Sequence, residues 1–95
     1  MSKIIDTAVA ALNEKVGGAF TDTAKFVLGD EGSIILDGEG ARAGDDDADV
    51  TLTADADVFQ GILDGSVNPT AAFMTGKLKV DGDMGLAMKL ASVLG

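Results

Sequence analysis

The sequence predicts an α+β fold, in which helices lie on one face of an antiparallel-rich sheet of four to five strands. Two observations support this prediction. Apolar residues recur at helical spacing at the beginning and end of the chain, and short alternating segments bounded by glycine and aspartate occupy the middle. Such segregated elements favour helices gathered on one face of a sheet. The 95 residues suffice for one core, so we expect a single domain over residues 1–95.

The first half of the chain predicts one helix followed by short strands. Ser2 is suited to cap the helix and Gly17-Gly18 to end it. Its apolar face consists of Ile5, Val9, Leu12 and Val16. Strands are expected at 23–28 and 33–37 around a turn at 29–32, with a shorter strand at 41–43 in the glycine- and aspartate-rich segment 38–47.

The second half predicts a strand, two short helices, another strand and a final helix. Residues 49–54 alternate cleanly, so Val50, Leu52 and Ala54 should point inward. Asp55 is suited to cap a helix over 57–63, and Asn68 a short helix with Pro69 at its first position. Residues 77–80 predict a strand with Leu78 and Val80 inward, followed by a turn at Gly82 in which Asp81 and Asp83 serve as turn residue and helix cap.

The last helix, residues 83–94, is more apolar than a surface helix needs to be. At about 100° per residue, Gly85, Lys89 and Ser92 share a polar sector only about 60° wide. The apolar residues cover an arc of about 220°, whereas a stripe of roughly 100° is enough to face a core. Met84 and Met88 lie on one edge of this arc and Leu90 lies on the other. Either two sides of the helix are buried, or one side faces something that is not protein.

Residues 68–90 resemble the end of the sterol carrier protein 2 domain family, also called non-specific lipid-transfer proteins. The resemblance rests on Asn68-Pro69, Gly76-Lys77-Leu78-Lys79, Gly82-Asp83 and Met84-Gly85-Leu86-Ala87-Met88-Lys89-Leu90, in this order and spacing. Residues 48–53 and the helix after them are also similar to the family. The resemblance implies a fold with an apolar tunnel between sheet and helices, closed by the C-terminal helix. It also implies binding of fatty acids, fatty acyl-CoAs, sterols or phospholipids.

Carried over to this chain, the resemblance gives a set of candidate lipid-binding residues. They are the apolar residues of the last three predicted helices: Phe59, Ile62, Leu63, Phe73, Met74, Met84, Leu86, Met88 and Leu90. Within the final helix we expect Met84 and Met88 to line the pocket and Leu90 to anchor the helix, because methionine adapts to varied neighbours.

The expected function is therefore non-catalytic binding, and intracellular transfer, of an apolar lipid. The alternative is a ligand-free scaffold or accessory interaction domain whose apolar last helix meets a partner protein or self-associates weakly. Native mass spectrometry of freshly purified protein distinguishes the two by adducts of lipid mass.

Composition disfavours several partners and is compatible with a reducing compartment. With 7 basic and 16 acidic residues, the net charge of −9 disfavours nucleic acid and tight docking on anionic membranes. The absence of cysteine is compatible with a reducing compartment, and no apolar run approaches the roughly 20 residues of a spanning helix. We therefore expect a cytoplasmic protein without stable membrane insertion.

Catalytic, metal and cofactor sites are not expected. The chain has no histidine, cysteine or tyrosine, so the common general bases and the thiol nucleophile are missing.

Three binding motifs are incomplete in this sequence. A calcium-binding loop beginning at Asp45 would need glycine at its sixth position and glutamate at its twelfth, but these positions hold Val50 and Ala56. The glycine pattern at 38–43 runs into aspartates instead of opening a helix, which favours a hairpin loop over a dinucleotide site. Ser66 follows the glycine that ends a helix, unlike the attachment serine of the acidic acyl carrier proteins.

Overall fold

A mixed sheet and four helices make up the part of the chain that the structure describes. The computed structural model describes residues 3–16, 20 and 22–94. In chain order the elements are α1 (Lys3–Lys15), β1 (Ala24–Leu28), β2 (Ser33–Asp37), β3 (Gly40–Ala43), β4 (Val50–Ala54), α2 (Ala56–Asp64), α3 (Pro69–Met74), β5 (Leu78–Gly82) and α4 (Met84–Leu94). The ends predicted for the first helix, at Ser2 and at Gly17-Gly18, lie outside the described residues.

The sheet has the strand order β3-β2-β1-β4-β5. The pairs β1–β2, β2–β3 and β4–β5 are antiparallel. The two central strands, β1 and β4, are parallel, with Phe26 opposite Leu52. The α+β fold with an antiparallel-rich sheet is thus confirmed, and the parallel central pair makes the sheet mixed. Segment 38–43 forms the turn and outer strand of a hairpin, as predicted.

One face of the sheet and the helices enclose a single apolar core. The strand register places Phe26, Ile34 and Leu52 on the same face, and all three are buried. They belong to one cluster with helix residues such as Leu12 of α1 and Leu90 of α4. Because side chains alternate between the two faces of a strand, this register directs every second residue of each central strand toward the helices.

The opposite face of the sheet is partly covered by the loop after β3. Ile35 points to this face yet is only 1% exposed. Gly44 lies against it, and the amide of Gly44 donates to the carbonyl of Ser33 at 3.1 Å. The Nζ of Lys25 pairs with Asp45 at 2.9 Å and fixes the loop further. The beginning of the acidic run therefore takes part in covering the sheet.

The two predicted helix caps near the middle of the chain have different outcomes. The Oδ1 of Asn68 accepts hydrogen bonds from the amides of Thr70 at 2.9 Å and Ala71 at 3.1 Å, so it caps α3 as predicted. Asp55 occupies the N-cap position of α2, but its carboxylate accepts no capping hydrogen bond. Its backbone carbonyl accepts from the amide of Phe59 at 3.0 Å instead. The prediction of a side-chain cap at Asp55 is wrong.

The prediction of a turn at Gly82 is also wrong, because Gly82 is the last residue of β5. Strand β5 continues through Asp81 and Gly82, which pair with Thr51 and Val50 of β4. Gly82 has φ +104°, and a Cβ there would lie 2.5 Å from the carbonyl oxygen of Asp49. Only a glycine allows this close approach, so the strand can extend to the start of α4. Asp83 then caps α4 as predicted, since its Oδ1 accepts from the amide of Leu86 at 3.2 Å.

Candidate functional site

A cavity of about 440 Å³ lies between the sheet and the helices α2, α3 and α4. Its lining consists of Phe26, Leu52, Phe59, Ile62, Pro69, Thr70, Phe73, Met74, Leu78, Val80, Met84, Ala87, Met88, Leu90, Ala91, Ser92 and Leu94. Among these described residues, only Thr70 and Ser92 have polar side chains, and no side chain is ionisable. The cavity is therefore suited to an apolar molecule, and among the side chains of its lining only the hydroxyl groups of Thr70 and Ser92 could contact a polar end.

The inner wall of the cavity belongs to the hydrophobic core. The ring centroids of Phe26 on β1 and Phe59 on α2 lie 5.0 Å apart, in the range preferred by aromatic pairs. Leu52 on β4 and Leu78 on β5 continue this wall along the sheet, and both side chains are buried. Because these residues also hold the sheet to the helices, the inner wall should be rigid.

The outer wall is formed by α3 and α4 and is partly open to water. Phe73 is 42% exposed, Met74 79%, Met84 47% and Met88 71%. We call these four residues the cavity rim. Ala87 and Ala91 also line the cavity from α4, and their short side chains leave room between that helix and the sheet.

The structure brings most of the predicted site residues together. Phe59, Ile62, Phe73, Met74, Met84, Met88 and Leu90 all line the cavity. Leu90 is also completely buried, so it is both an anchor of α4 and part of the wall. Leu63 and Leu86 do not line the cavity. Leu63 belongs to the packed core one turn after Phe59, and Leu86 packs against the core about 200° around α4 from Met84.

Sequence reasoning missed the strand contribution to the site. Leu52, Leu78 and Val80 are predicted to point inward, but not to line a cavity, and no direction is predicted for Phe26. Alternation identifies the inner face of a strand, although it cannot distinguish a packed neighbour from an open space. Thr70 had no sequence signal, and Ser92 was placed in the polar sector of the last helix, outside the apolar arc. Both side chains line the cavity and are also exposed to water.

Carboxyl groups with perturbed acidity lie away from the cavity. The backbone N–H of Glu39, and then the Arg42 guanidinium 2.9 Å away, hold the pKa of Asp37 below its usual value. Hydrogen bonds from the hydroxyl and backbone N–H of Ser66 lower the pKa of Asp64. Neither aspartate lines the cavity. The site thus contains no group prepared for proton transfer.

Residues 3–16, 20 and 22–94 contain neither a metal-binding cluster nor a membrane-spanning helix. No three acidic side chains in this part of the chain converge as a metal site would require. None of its helices combines the length and apolarity needed to cross a membrane.

Sequence comparisons match the chain to one family model and to parts of longer curated proteins. The model of the SCP-2 sterol transfer family matches residues 5–95. Hydroxysteroid dehydrogenase-like protein 2 from Xenopus tropicalis is 39% identical over 92 residues, which are 88% of this chain and 22% of that protein. Sterol carrier protein 2 from Rattus norvegicus is 42% identical over 87 residues, or 84% of this chain and 16% of that protein. The chain thus spans less than a quarter of the length of these curated relatives.

Comparison with solved structures gives the same fold. The palmitated form of SCP2L2 from Aedes aegypti has a TM-score of 0.71 and 25% sequence identity. The superposition covers 99% of this chain and 95% of that one. The arrangement of sheet and helices described above is therefore shared over nearly the whole length of both chains.

Proposed function

The chain belongs to the SCP-2 sterol transfer family, and from this premise we propose that it binds an apolar lipid in the cavity and carries it through water without chemical change. The ligand is a fatty acid, a fatty acyl-CoA, a sterol-like molecule or a phospholipid, with its hydrocarbon part enclosed between the sheet and α4. The absence of cysteine fits a reducing, cytoplasmic setting.

The observation that supports this proposal most is the apolar lining of the cavity. Its volume of about 440 Å³ falls within the range of roughly 300–1,000 Å³ typical of small-molecule sites. Transfer of hydrocarbon from water to such a lining contributes about 0.8 kcal/mol per methylene group. A chain of several methylenes can therefore bind without any ionic contact, which favours broad specificity for apolar molecules.

The relatives support the chemical class of the ligand. The rat protein that is 42% identical is named a sterol carrier, and the mosquito protein with the same fold carries palmitate in its solved form. Both ligands are mostly hydrocarbon with one small polar end. That combination matches a cavity whose only polar side chains, within the described lining, are Thr70 and Ser92.

A non-catalytic role agrees with the chemistry of the chain. It has no histidine, cysteine or tyrosine, and the described cavity lining has no ionisable side chain. Acid, base and nucleophilic steps need such groups within reach of the substrate. Binding and release are what this lining can supply.

Native mass spectrometry of protein purified without detergent tests the proposal. We expect adducts of lipid mass, which disappear after extraction with organic solvent and return when a long-chain fatty acid is added. At a free ligand concentration of about 100 times Kd, binding should raise stability by ~2.7 kcal/mol and Tm by roughly 10–20 °C. The same chain with Met88→Leu is the control and should behave like the original protein. If neither adducts nor a rise in Tm occur, the scaffold alternative takes the place of lipid binding.

A further inference from the structure

Strand β5 forms one edge of the sheet, where β4 is its neighbour among the described strands. The amide of Asp83 donates to the carbonyl of Asp49 at 3.1 Å, so the backbone of Asp83 faces the β4 side. Backbone groups that face a given neighbour alternate along an antiparallel strand. The N–H and C=O groups of Leu78, Val80 and Gly82 therefore point away from β4, and no described residue forms a hydrogen bond with them.

The other edge of the sheet, β3, is closed by a side chain. The N–H of Ala41 donates to the Oδ1 of Asn13 at 2.7 Å, and the Nδ2 of Asn13 donates to the carbonyl of Ala41 at 3.0 Å. The Asn13 amide thus takes the place of a neighbouring strand beside β3. Since open edges readily pair with further strands, β5 is the edge at which such pairing is expected.

The charges along β5 and its two flanking residues are self-complementary. Lysines occupy the second and fourth positions from the alanine-like centre of symmetry on one side only, in the run Lys77-Leu78-Lys79-Val80-Asp81-Gly82-Asp83. Lys79 and Lys77 precede Val80 by one and three residues, and Asp81 and Asp83 follow it by the same spacing. When a second copy lies antiparallel with Val80 opposite Val80, each lysine therefore stands opposite an aspartate.

The backbone and the exposed side chains fit the same register. Pairing centred on Val80 brings the outward backbone groups of Leu78 opposite those of Gly82 in the second copy, so free donors and acceptors meet. Leu78 and Val80 line the cavity, so Lys79 and Asp81 point to the opposite face of the sheet, where both are exposed. Neither forms an ion pair with another described residue.

We propose that β5 pairs with β5 of a second copy of this chain about a two-fold axis at Val80, which joins the two five-stranded sheets into one. The interface is isologous, since each copy contributes the same residues. Two short strands bury less than the ~1,200–2,000 Å² of a standard interface, so the dimer should be reversible, with a Kd on the order of 100 µM. This pairing goes beyond the proposed function and does not require a bound lipid.

The arrangement of charge favours a second copy as the partner. Lysine on an edge strand ordinarily discourages pairing, but here the approaching strand presents aspartate to it. Two copies of net charge −9 repel each other at a distance. At ~0.15 M salt the screening length is about 8 Å, whereas directly opposed residues have Cβ atoms about 4.5–5.5 Å apart. Salt therefore weakens the long-range repulsion more than the attraction between opposed residues.

Exchange of charge at two positions tests the pairing by sedimentation equilibrium. The unaltered protein should show a monomer–dimer equilibrium at concentrations from about tenfold below to about tenfold above the expected Kd. Lys79→Asp and Asp81→Lys should each raise the Kd by about tenfold or more, because like charges then face each other. An equimolar mixture of the two variants should form a heterodimer, since the aspartates of one variant face the lysines of the other.

Control variants change the net charge by the same amounts away from β5. These are Lys3→Asp and Asp46→Lys, both at exposed positions, and they should leave the equilibrium unchanged. Circular dichroism checks that each variant is folded.

Amide hydrogen exchange locates the contact within the strand. Exchange at Val80 and Gly82 should be fast in dilute protein and slow in concentrated protein. Exchange at Lys79 and Asp81 should be slow in both, because their N–H groups face β4.

Four results would overturn the proposal. One is a monomer at every concentration, and another is a dimer that both charge variants retain. The third is a mixture of the two variants that stays monomeric, since the charges would then not be opposed. The fourth is concentration-dependent protection at Ala41 instead of Val80, which would assign the contact to β3. Lipid adducts in native mass spectra report on the proposed function separately and should be the same in all of these variants.

Discussion

The rings of Phe26 and Phe59 meet with 5.0 Å between their centroids and 45° between their planes. Phe26 lies on the central strand β1 and Phe59 on α2, so this pair joins the sheet to a helix. Both rings are at most 2% exposed, and both line the cavity. The wall of the proposed lipid site is therefore also a structural contact of the core, and substitutions there should affect stability and binding together.

Phe59→Ala should destabilise the lipid-free protein by about 3–5 kcal/mol, because it removes a buried ring and leaves a cavity. Phe73→Ala is the matched variant, since Phe73 lines the same cavity but is 42% exposed. It should cost about 1 kcal/mol or less in stability and still weaken fatty-acid binding. Denaturant unfolding and displacement of a fluorescent fatty acid measure the two effects. Equal losses of stability would show that the rings of Phe59 and Phe73 are equally important for folding.

Met88 and Leu90 should separate ligand binding from folding within α4. Leu90 is fully buried, so Leu90→Ala should destabilise by about 2–5 kcal/mol. Met88 is 71% exposed, so Met88→Gln should change stability by only about 0.5 kcal/mol. The side-chain amide of the introduced glutamine should nevertheless weaken fatty-acid binding, because the hydrocarbon chain of the ligand would cover this polar group and leave it without a hydrogen-bond partner. Met88→Leu keeps the apolar surface and should retain affinity. Unfolding of the Met88→Gln protein would mean that the roles of the two residues are reversed.

The hydroxyls of Thr70 and Ser92 should select the polar end of the ligand. Each hydrogen bond to a ligand hydroxyl contributes about 0.5–1.5 kcal/mol, so Ser92→Ala or Thr70→Val should weaken binding of a long-chain alcohol roughly two- to tenfold. Binding of the alkane of equal length should not weaken. Thr7→Val, on the exposed side of α1, serves as control. Equal losses for alcohol and alkane would indicate a change of cavity shape instead of a lost hydrogen bond.

Two glycines with positive φ should differ in their tolerance of alanine. A Cβ on Gly76, at φ +80°, would meet no atom within 4 Å. Gly76→Ala should therefore lower the free energy of unfolding by only ~1–2 kcal/mol, which is the cost of holding alanine in the left-handed conformation. At Gly82 the Cβ would also lie 2.5 Å from the carbonyl oxygen of Asp49. This steric overlap adds about 1–3 kcal/mol to the cost of the left-handed conformation, so Gly82→Ala should lower the free energy of unfolding by about 2–5 kcal/mol. Denaturant unfolding of both variants measures the difference. Similar midpoints would show that β5 can move away from Asp49.

Local features of this chain could be read from the sequence because their causes lie within a few residues. Asn68 and Pro69 start α3 through a cap and a fixed φ, both of which act within one turn. The alternation of Val50, Leu52 and Ala54 identified the inner face of β4. The excess apolar arc of the last helix left open whether a second side of it is buried or faces something that is not protein. The family resemblance placed Met84 and Met88 in the pocket, and both line the cavity.

Contacts between distant residues decided the remaining features. Side chains alternate with the same period in parallel and antiparallel strands, so the residue patterns of β1 and β4 do not predict that these two strands run parallel. The extension of β5 through Asp81 depends on pairing with β4, and the burial of Ile35 depends on the loop at Gly44. Local sequence patterns therefore suffice to predict the order of elements, the inner faces of the strands and the apolar surplus of the last helix. Which apolar residues fill the core and which border open space depends on how closely separate elements approach one another, and this follows from the packing of the whole fold.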